Sequence, residues 1–60
     1  MSVRQLAQEL YNLEREVERL RRELDQAPPS RRTEIELKLL QSTAERDRLR
    51  AVLQAKKKSL

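Results

Sequence analysis

The chain contains no cysteine, no histidine and no glycine, and each absence excludes a class of protein. Without cysteine, neither a disulfide nor a thiolate zinc site can hold a fold of 60 residues together. Without histidine, the chain lacks the commonest metal ligand and the usual general base of enzymes. Without glycine, it has no Gly-rich loop that could hold a phosphate. We therefore expect a protein that is not an enzyme and that binds no metal ion or cofactor.

Aromatic residues and long apolar runs are equally scarce. Phenylalanine and tryptophan are missing, and Tyr11 is the single aromatic residue. No apolar run approaches the roughly 20 residues that a membrane-spanning helix needs, and the N-terminus lacks the apolar segment of a secretory signal. These observations lead us to expect a cytoplasmic protein that does not bind a membrane.

Charged side chains make up 40% of the sequence, with 14 lysines and arginines against 10 aspartates and glutamates. The remainder is rich in leucine, glutamine and alanine, and this composition is typical of long helices and coiled coils. A chain of this length forms one domain at most and buries little of its surface. We therefore predict an all-α fold whose stability depends on contacts between helices.

Apolar residues recur along the first half of the chain at alternating steps of three and four. They are Val3, Leu6, Leu10, Leu13, Val17, Leu20, Leu24 and Ala27. This pattern is typical of a helix that packs against another helix, as in a coiled coil. Pro28 and Pro29 end it, because the residue before a proline is pushed out of the helical region. Ser2 and Gln5 fit a capping box, so the first helix is predicted over about 3–26.

The second helix has two possible start signals. Pro29 suits the first position of a helix, where its missing N–H costs nothing. Thr33 and Glu36 match the pattern of a second capping box. We favour a start between residues 30 and 33.

The resulting prediction is an antiparallel helical hairpin, with a turn over 27–31 and a second helix over about 32–57. Four apolar residues on one face of the second helix are predicted to meet the first helix. They are Ile35, Leu39, Leu49 and Leu53. Together with the seven apolar residues of the first helix from Val3 to Leu24, they form what we call the intrachain seam of the predicted hairpin.

Arg46 falls on this same face, opposite Leu13. A polar residue in such a seam can fix the register or the oligomeric state of the helices. We favour the simpler interpretation, in which the aliphatic stem packs on Leu13 and the guanidinium reaches water.

The second helix also carries apolar residues on its other side, and we call these the second apolar face. They are Leu37, Leu40, Ala44, Ala51, Val52 and Ala55. A helix that is apolar on two sides is normally buried on two sides, and a two-helix hairpin covers only one. We therefore predict a homo-oligomer, first of all a two-fold symmetric dimer that forms a four-helix bundle. A tetramer remains an alternative, as does a heterologous helical protein that covers this face.

Positive charge is concentrated in the second half of the chain. Residues 1–25 carry five basic and six acidic side chains, whereas residues 26–60 carry nine basic and four acidic ones. The candidate phosphate contacts are Arg46, Arg48, Arg50, Lys56, Lys57 and Lys58. No aromatic residue lies between them to stack on bases, so nucleic-acid binding is the less favoured interpretation.

The predicted layout is similar to that of the plasmid-encoded RNA-binding hairpins that dimerise into four-helix bundles. It is equally similar to small helical co-chaperones of secretion systems. The similarity is one of length and layout, and it carries no functional residue over to this chain. The sequence thus predicts a non-enzymatic assembly module that self-associates through its helices. The alternatives are a basic nucleic-acid-binding accessory protein and an adaptor that binds a foreign helix.

Overall fold

The computed structural model describes residues 2–58, which form two α-helices packed against each other. Helix α1 spans Val3–Gln26 and helix α2 spans Pro29–Lys58. The Cα atoms extend over 47 × 14 × 14 Å, the shape of two long helices lying side by side. The predicted all-α helical hairpin is confirmed.

The start of α1 is fixed by the capping box that the sequence predicts. The backbone N–H of Gln5 donates to the Ser2 hydroxyl oxygen at 3.2 Å, and the backbone N–H of Ser2 donates to Gln5 Oε1 at 3.0 Å. Each side chain thereby satisfies a backbone donor that the first turn of a helix leaves without a partner. The capping box is confirmed.

The turn between the helices is shorter than the sequence predicts. Ala27 is extended, with φ −75° and ψ 140°, and α2 already begins at Pro29 rather than between residues 30 and 33. The predicted turn over 27–31 is therefore too long, and Thr33 lies inside the helix instead of capping it. The physical reason is that Pro29 has its φ preset for a helix and needs no partner for an N–H.

Three hydrogen bonds lie at this short turn, and the first runs from the backbone N–H of Ala27 to the carbonyl oxygen of Leu24 at 3.3 Å. The backbone N–H of Arg31 donates to the carbonyl oxygen of Pro28 at 2.9 Å. The Arg32 guanidinium donates from Nη1 to the carbonyl oxygen of Leu24 at 3.3 Å, which supplies a partner at the C-terminal end of α1. A cation at this end also interacts favourably with the dipole of α1.

The core is a single apolar layer between the two helices. Its most buried side chains are Leu6, Val17, Leu20, Ile35 and Leu53. Half-buried positions extend the layer along both helices at Val3, Leu10, Leu13, Leu24, Leu39 and Leu49. The structure thus places every residue of the predicted intrachain seam in a buried or half-buried position. This layer covers one side of α2 and leaves the other side open.

Candidate interaction surfaces

The second apolar face of α2 is exposed to solvent. Leu40 is 66% exposed, Leu37 is 56% exposed and Val52 is 38% exposed. The three alanines of the face, at positions 44, 51 and 55, are exposed as well. At 3.6 residues per turn, Leu37 lies about 160° around the helix from Ile35, which is buried against α1. The two apolar sides of α2 are therefore nearly opposite each other.

Two charged residues lie beside the middle of this face, and each pairs with a residue of its own helix. Asp47 Oδ1 accepts hydrogen bonds from Nε and Nη2 of Arg46, at 3.2 and 3.1 Å. Arg48 Nη1 lies 3.5 Å from a carboxylate oxygen of Glu45, one turn earlier on the flank of the helix. The exposed side chains of Asp47 and Arg48 therefore border the second apolar face on either side between Leu40 and Ala51.

A shallow groove joins this face to the junction between the helices. Its lining includes Arg21 and Glu36 from opposite helices, together with Leu39, Leu40 and Thr43. The Thr43 hydroxyl is satisfied within its own helix, because it lies 2.9 Å from the carbonyl oxygens of both Leu39 and Leu40. The polar group beside Leu40 therefore needs no partner from outside.

Helix α1 differs from α2, because its leucines and valines lie on one side only. The opposite side, which we call the back of α1, is lined by Arg4, Tyr11, Arg15, Arg19 and Arg22. Tyr11 is 55% exposed, and the Arg15 guanidinium carbon lies 5.9 Å from the centre of its ring. This distance is that of a cation–π contact.

Some of these arginines are held by carboxylates of the same helix. Arg19 pairs with Glu16 at 2.6 Å, and Arg22 lies 3.8 Å from Glu18. Within residues 2–58, neither Arg4 nor Arg15 forms an ion pair. The back of α1 thus presents two unpaired cations and an exposed aromatic ring.

The arginines predicted to bind phosphate are not brought together by the structure. Arg46 faces α1, with its side chain only 20% exposed, whereas Arg48 points to the far side of α2. Arg50 reaches across to α1, where its Nη2 lies 3.3 Å from Glu14 Oε1. Each of the three is already paired with a carboxylate. The lysines at 56–58 occupy the last turn of α2, where positive charge complements the helix dipole.

The back of α1 was missed by the sequence analysis because charge was counted over whole segments. Residues 1–25 carry a small net negative charge, yet their acidic side chains lie mostly beside the core and their arginines mostly on the back. Counting charge around the helix, at 100° per residue, separates the two groups. The surface could have been found from the sequence, because one side of the helix is shared by Arg4, Tyr11, Arg15 and Arg22.

In the described range 2–58, no cluster of three or more acidic side chains is placed to hold a metal ion. Over the same range, neither helix combines the length and the apolar character that crossing a bilayer requires. Comparison of the chain with protein families, with curated proteins and with solved structures found no match.

Proposed function

We propose that this protein is a non-enzymatic assembly module that works through helix–helix contacts and whose first partner is a second copy of itself. The observation that carries the proposal is the exposure of Leu37 and Leu40 on a face of α2 that α1 cannot reach. Soluble proteins expose single apolar residues routinely, but several exposed apolar residues along one helix face, which we call the apolar stripe, usually mark an interface. Because the chain supplies no disulfide, a second hairpin is the simplest cover for this stripe.

The size of the stripe supports a reversible dimer rather than a permanent one. Burying a leucine side chain contributes about 1.5–3 kcal/mol, and Leu37 and Leu40 are already partly covered. Four such leucines in a symmetric dimer contribute on the order of 5 kcal/mol, with smaller additions from alanine and valine. Association itself costs about 4–15 kcal/mol, so little remains as net affinity. The dimer is therefore expected to dissociate on dilution.

Sedimentation equilibrium over a concentration series tests this proposal. The wild-type chain of 7.2 kDa should shift towards twice that mass as its concentration rises. The variant Leu37→Gln/Leu40→Gln should remain a monomer, because amide groups replace the apolar contacts at the centre of the interface. Circular dichroism should show that the variant keeps its helices, since neither side chain belongs to the core of the hairpin.

The matched control is Tyr11→Gln, which removes an apolar side chain of similar exposure from the back of α1. This variant should dimerise as the wild-type chain does. A wild-type chain that stays monomeric and helical at every concentration would overturn self-association, and the search would turn to a foreign helix.

A second candidate function is binding of nucleic-acid phosphates, and the back of α1 favours it. This surface combines the unpaired guanidinium groups of Arg4 and Arg15 with the exposed ring of Tyr11. Guanidinium groups suit phosphate oxygens, and an aromatic ring can stack on a base. The three arginines of α2 are weaker candidates, because phosphate would compete there with existing carboxylate partners.

Fluorescence anisotropy with a labelled single-stranded oligonucleotide tests this second function. Binding should weaken steeply as salt is raised, because phosphate contacts release counterions. Arg4→Gln/Arg15→Gln should weaken binding much more than the control Arg48→Gln/Arg50→Gln, which removes the same charge from α2. Absence of binding at low salt would exclude the function.

A further inference from the structure

We propose that two copies join through α2 in antiparallel directions, so that the four helices lie side by side in the order α1, α2, α2, α1. This inference rests on the proposed self-association and specifies its geometry. The second apolar face of one copy packs against the same face of a second copy, whose α2 runs in the opposite direction.

The order of the helices follows from where the apolar residues lie. In a square four-helix bundle each helix contacts two neighbours, and its apolar stripe points towards a shared centre. The two apolar sides of α2 instead lie nearly opposite each other, with Ile35 buried on one and Leu40 exposed on the other. The back of α1 is lined by arginines and has no second apolar side to contribute. Helix α2 therefore belongs in the middle of the assembly, and α1 belongs on its outside.

The antiparallel direction follows from the sizes of the side chains. The second apolar face has leucines in its N-terminal half, at 37 and 40, and alanines in its C-terminal half, at 44, 51 and 55. An antiparallel pair that places Leu37 opposite Ala55 of the second copy brings Leu40 level with Val52 and next to Ala51. A parallel pair places leucine on leucine at one end and alanine on alanine at the other. The first arrangement packs evenly, whereas the second leaves a gap beside the alanines.

Charge favours the same direction. In a parallel pair, the lysines at 56–58 of one copy lie beside the same lysines of the other. In an antiparallel pair, the lysine end of one α2 lies beside the other end of its partner, where Glu34 and Glu36 offset part of the charge of Arg31, Arg32 and Lys38. The repulsion there is therefore smaller than between two lysine ends. Antiparallel helices also oppose their dipoles rather than aligning them.

Cysteine cross-linking tests the direction, because the chain has no cysteine of its own. Two single variants are needed, Leu37→Cys and Ala55→Cys. If Leu37 lies opposite Ala55, the two copies of residue 55 are separated by about 27 Å along the helix axis, at 1.5 Å per residue. A disulfide needs Cα atoms within about 7 Å, so neither variant should cross-link with itself under mild oxidation. An equimolar mixture should give a covalent dimer of one copy of each variant, identified by its mass.

The outcomes separate this inference from the function on which it rests. A covalent dimer of Ala55→Cys alone, with little product from the mixture, would establish a parallel pair and overturn the inference while leaving self-association intact. A monomeric wild-type chain in sedimentation would overturn both. Circular dichroism of each variant before oxidation confirms that the hairpin is folded.

Small-angle X-ray scattering of the wild-type dimer tests whether the four helices lie side by side in one row. The single hairpin has a Cα radius of gyration of 14.0 Å. With neighbouring axes about 9 Å apart, four helices in a row give a radius of about 17 Å, and a square bundle gives about 15 Å. A dimer with the smaller value would overturn the side-by-side order.

Discussion

Glu14 and Arg50 are 36 positions apart in the chain, yet Arg50 Nη2 lies 3.3 Å from Glu14 Oε1. The pair links the middle of α1 to the C-terminal half of α2. Another bond between the helices, from Arg32 to Leu24, lies at the turn itself. Polar contacts therefore connect the two helices both at the turn and near the middle of α1.

The ion pair between Glu14 and Arg50 should couple the two residues weakly. Both side chains are nearly half exposed, and such pairs contribute about 0.2–1 kcal/mol. A double-mutant cycle with Glu14→Gln and Arg50→Gln, measured by urea unfolding, should give a coupling energy in this range. The coupling should shrink when the salt concentration is raised, because partly exposed charges are screened. A coupling that does not respond to salt would contradict this account.

Removal of the Arg32 guanidinium should loosen the turn. Arg32→Ala deletes one of two donors to the carbonyl oxygen of Leu24, the other being the Ala27 N–H, and should lower the free energy of unfolding by about 0.5 kcal/mol. The control is Arg31→Ala, because Arg31 closes the turn through its backbone N–H, which the substitution keeps. Thermal unfolding followed by circular dichroism compares the two. Equal losses of stability would contradict a specific role for the Arg32 side chain.

Replacement of Arg46 by leucine should stabilise the hairpin. The Arg46 side chain is 20% exposed and lies on the side of α2 that faces α1, where an apolar group packs better than a charged one. Arg46→Leu should raise the urea midpoint, even though Asp47 loses its partner. Sedimentation of the same variant should show an unchanged mass, because the simple interpretation assigns Arg46 no part in choosing the oligomeric state. A changed mass would favour the alternative, in which Arg46 fixes register.

Val17 and Val52 should respond differently to the same substitution. Val17 is 1% exposed, and Val17→Ala should cost about 2–3 kcal/mol through lost burial and the cavity left behind. Val52 is 38% exposed at the margin of the second apolar face, and Val52→Ala should cost less than about 0.5 kcal/mol in dilute solution. Urea unfolding at low protein concentration measures both. Similar costs would contradict the assignment of the core.

Helix α1 could be predicted closely from the sequence because several local signals agree there. The capping box at Ser2 and Gln5 sets its start, the apolar spacing sets its buried side, and Pro28 sets its end. At the start of α2, the signals compete. The pattern of Thr33 and Glu36 is as good a capping box on paper as that of Ser2 and Gln5, but Pro29 comes first and nothing prevents the helix from beginning there.

The candidate surfaces were predictable in part. The exposed leucines at 37 and 40 follow from apolar spacing alone, since a hairpin can bury one side of α2 only. The ion pairs of Arg46, Arg48 and Arg50 depend on side-chain rotamers and on which helix lies nearby. The net charge of a segment gives no information about either. Those pairs direct the three arginines to different sides of α2, and this weakens them as a common phosphate site.

The two-residue connection between the helices has a kinetic consequence. The ends of a short loop meet at little entropic cost, so the first contacts between helices form beside the turn, near Leu24 and Ile35. Pairing then proceeds outwards, and each further layer closes a longer stretch of chain. The helices should therefore pair first at the turn and separate first at the opposite end. Backbone amides near Leu20 should exchange with solvent more slowly than those near Leu6, although both side chains are equally buried.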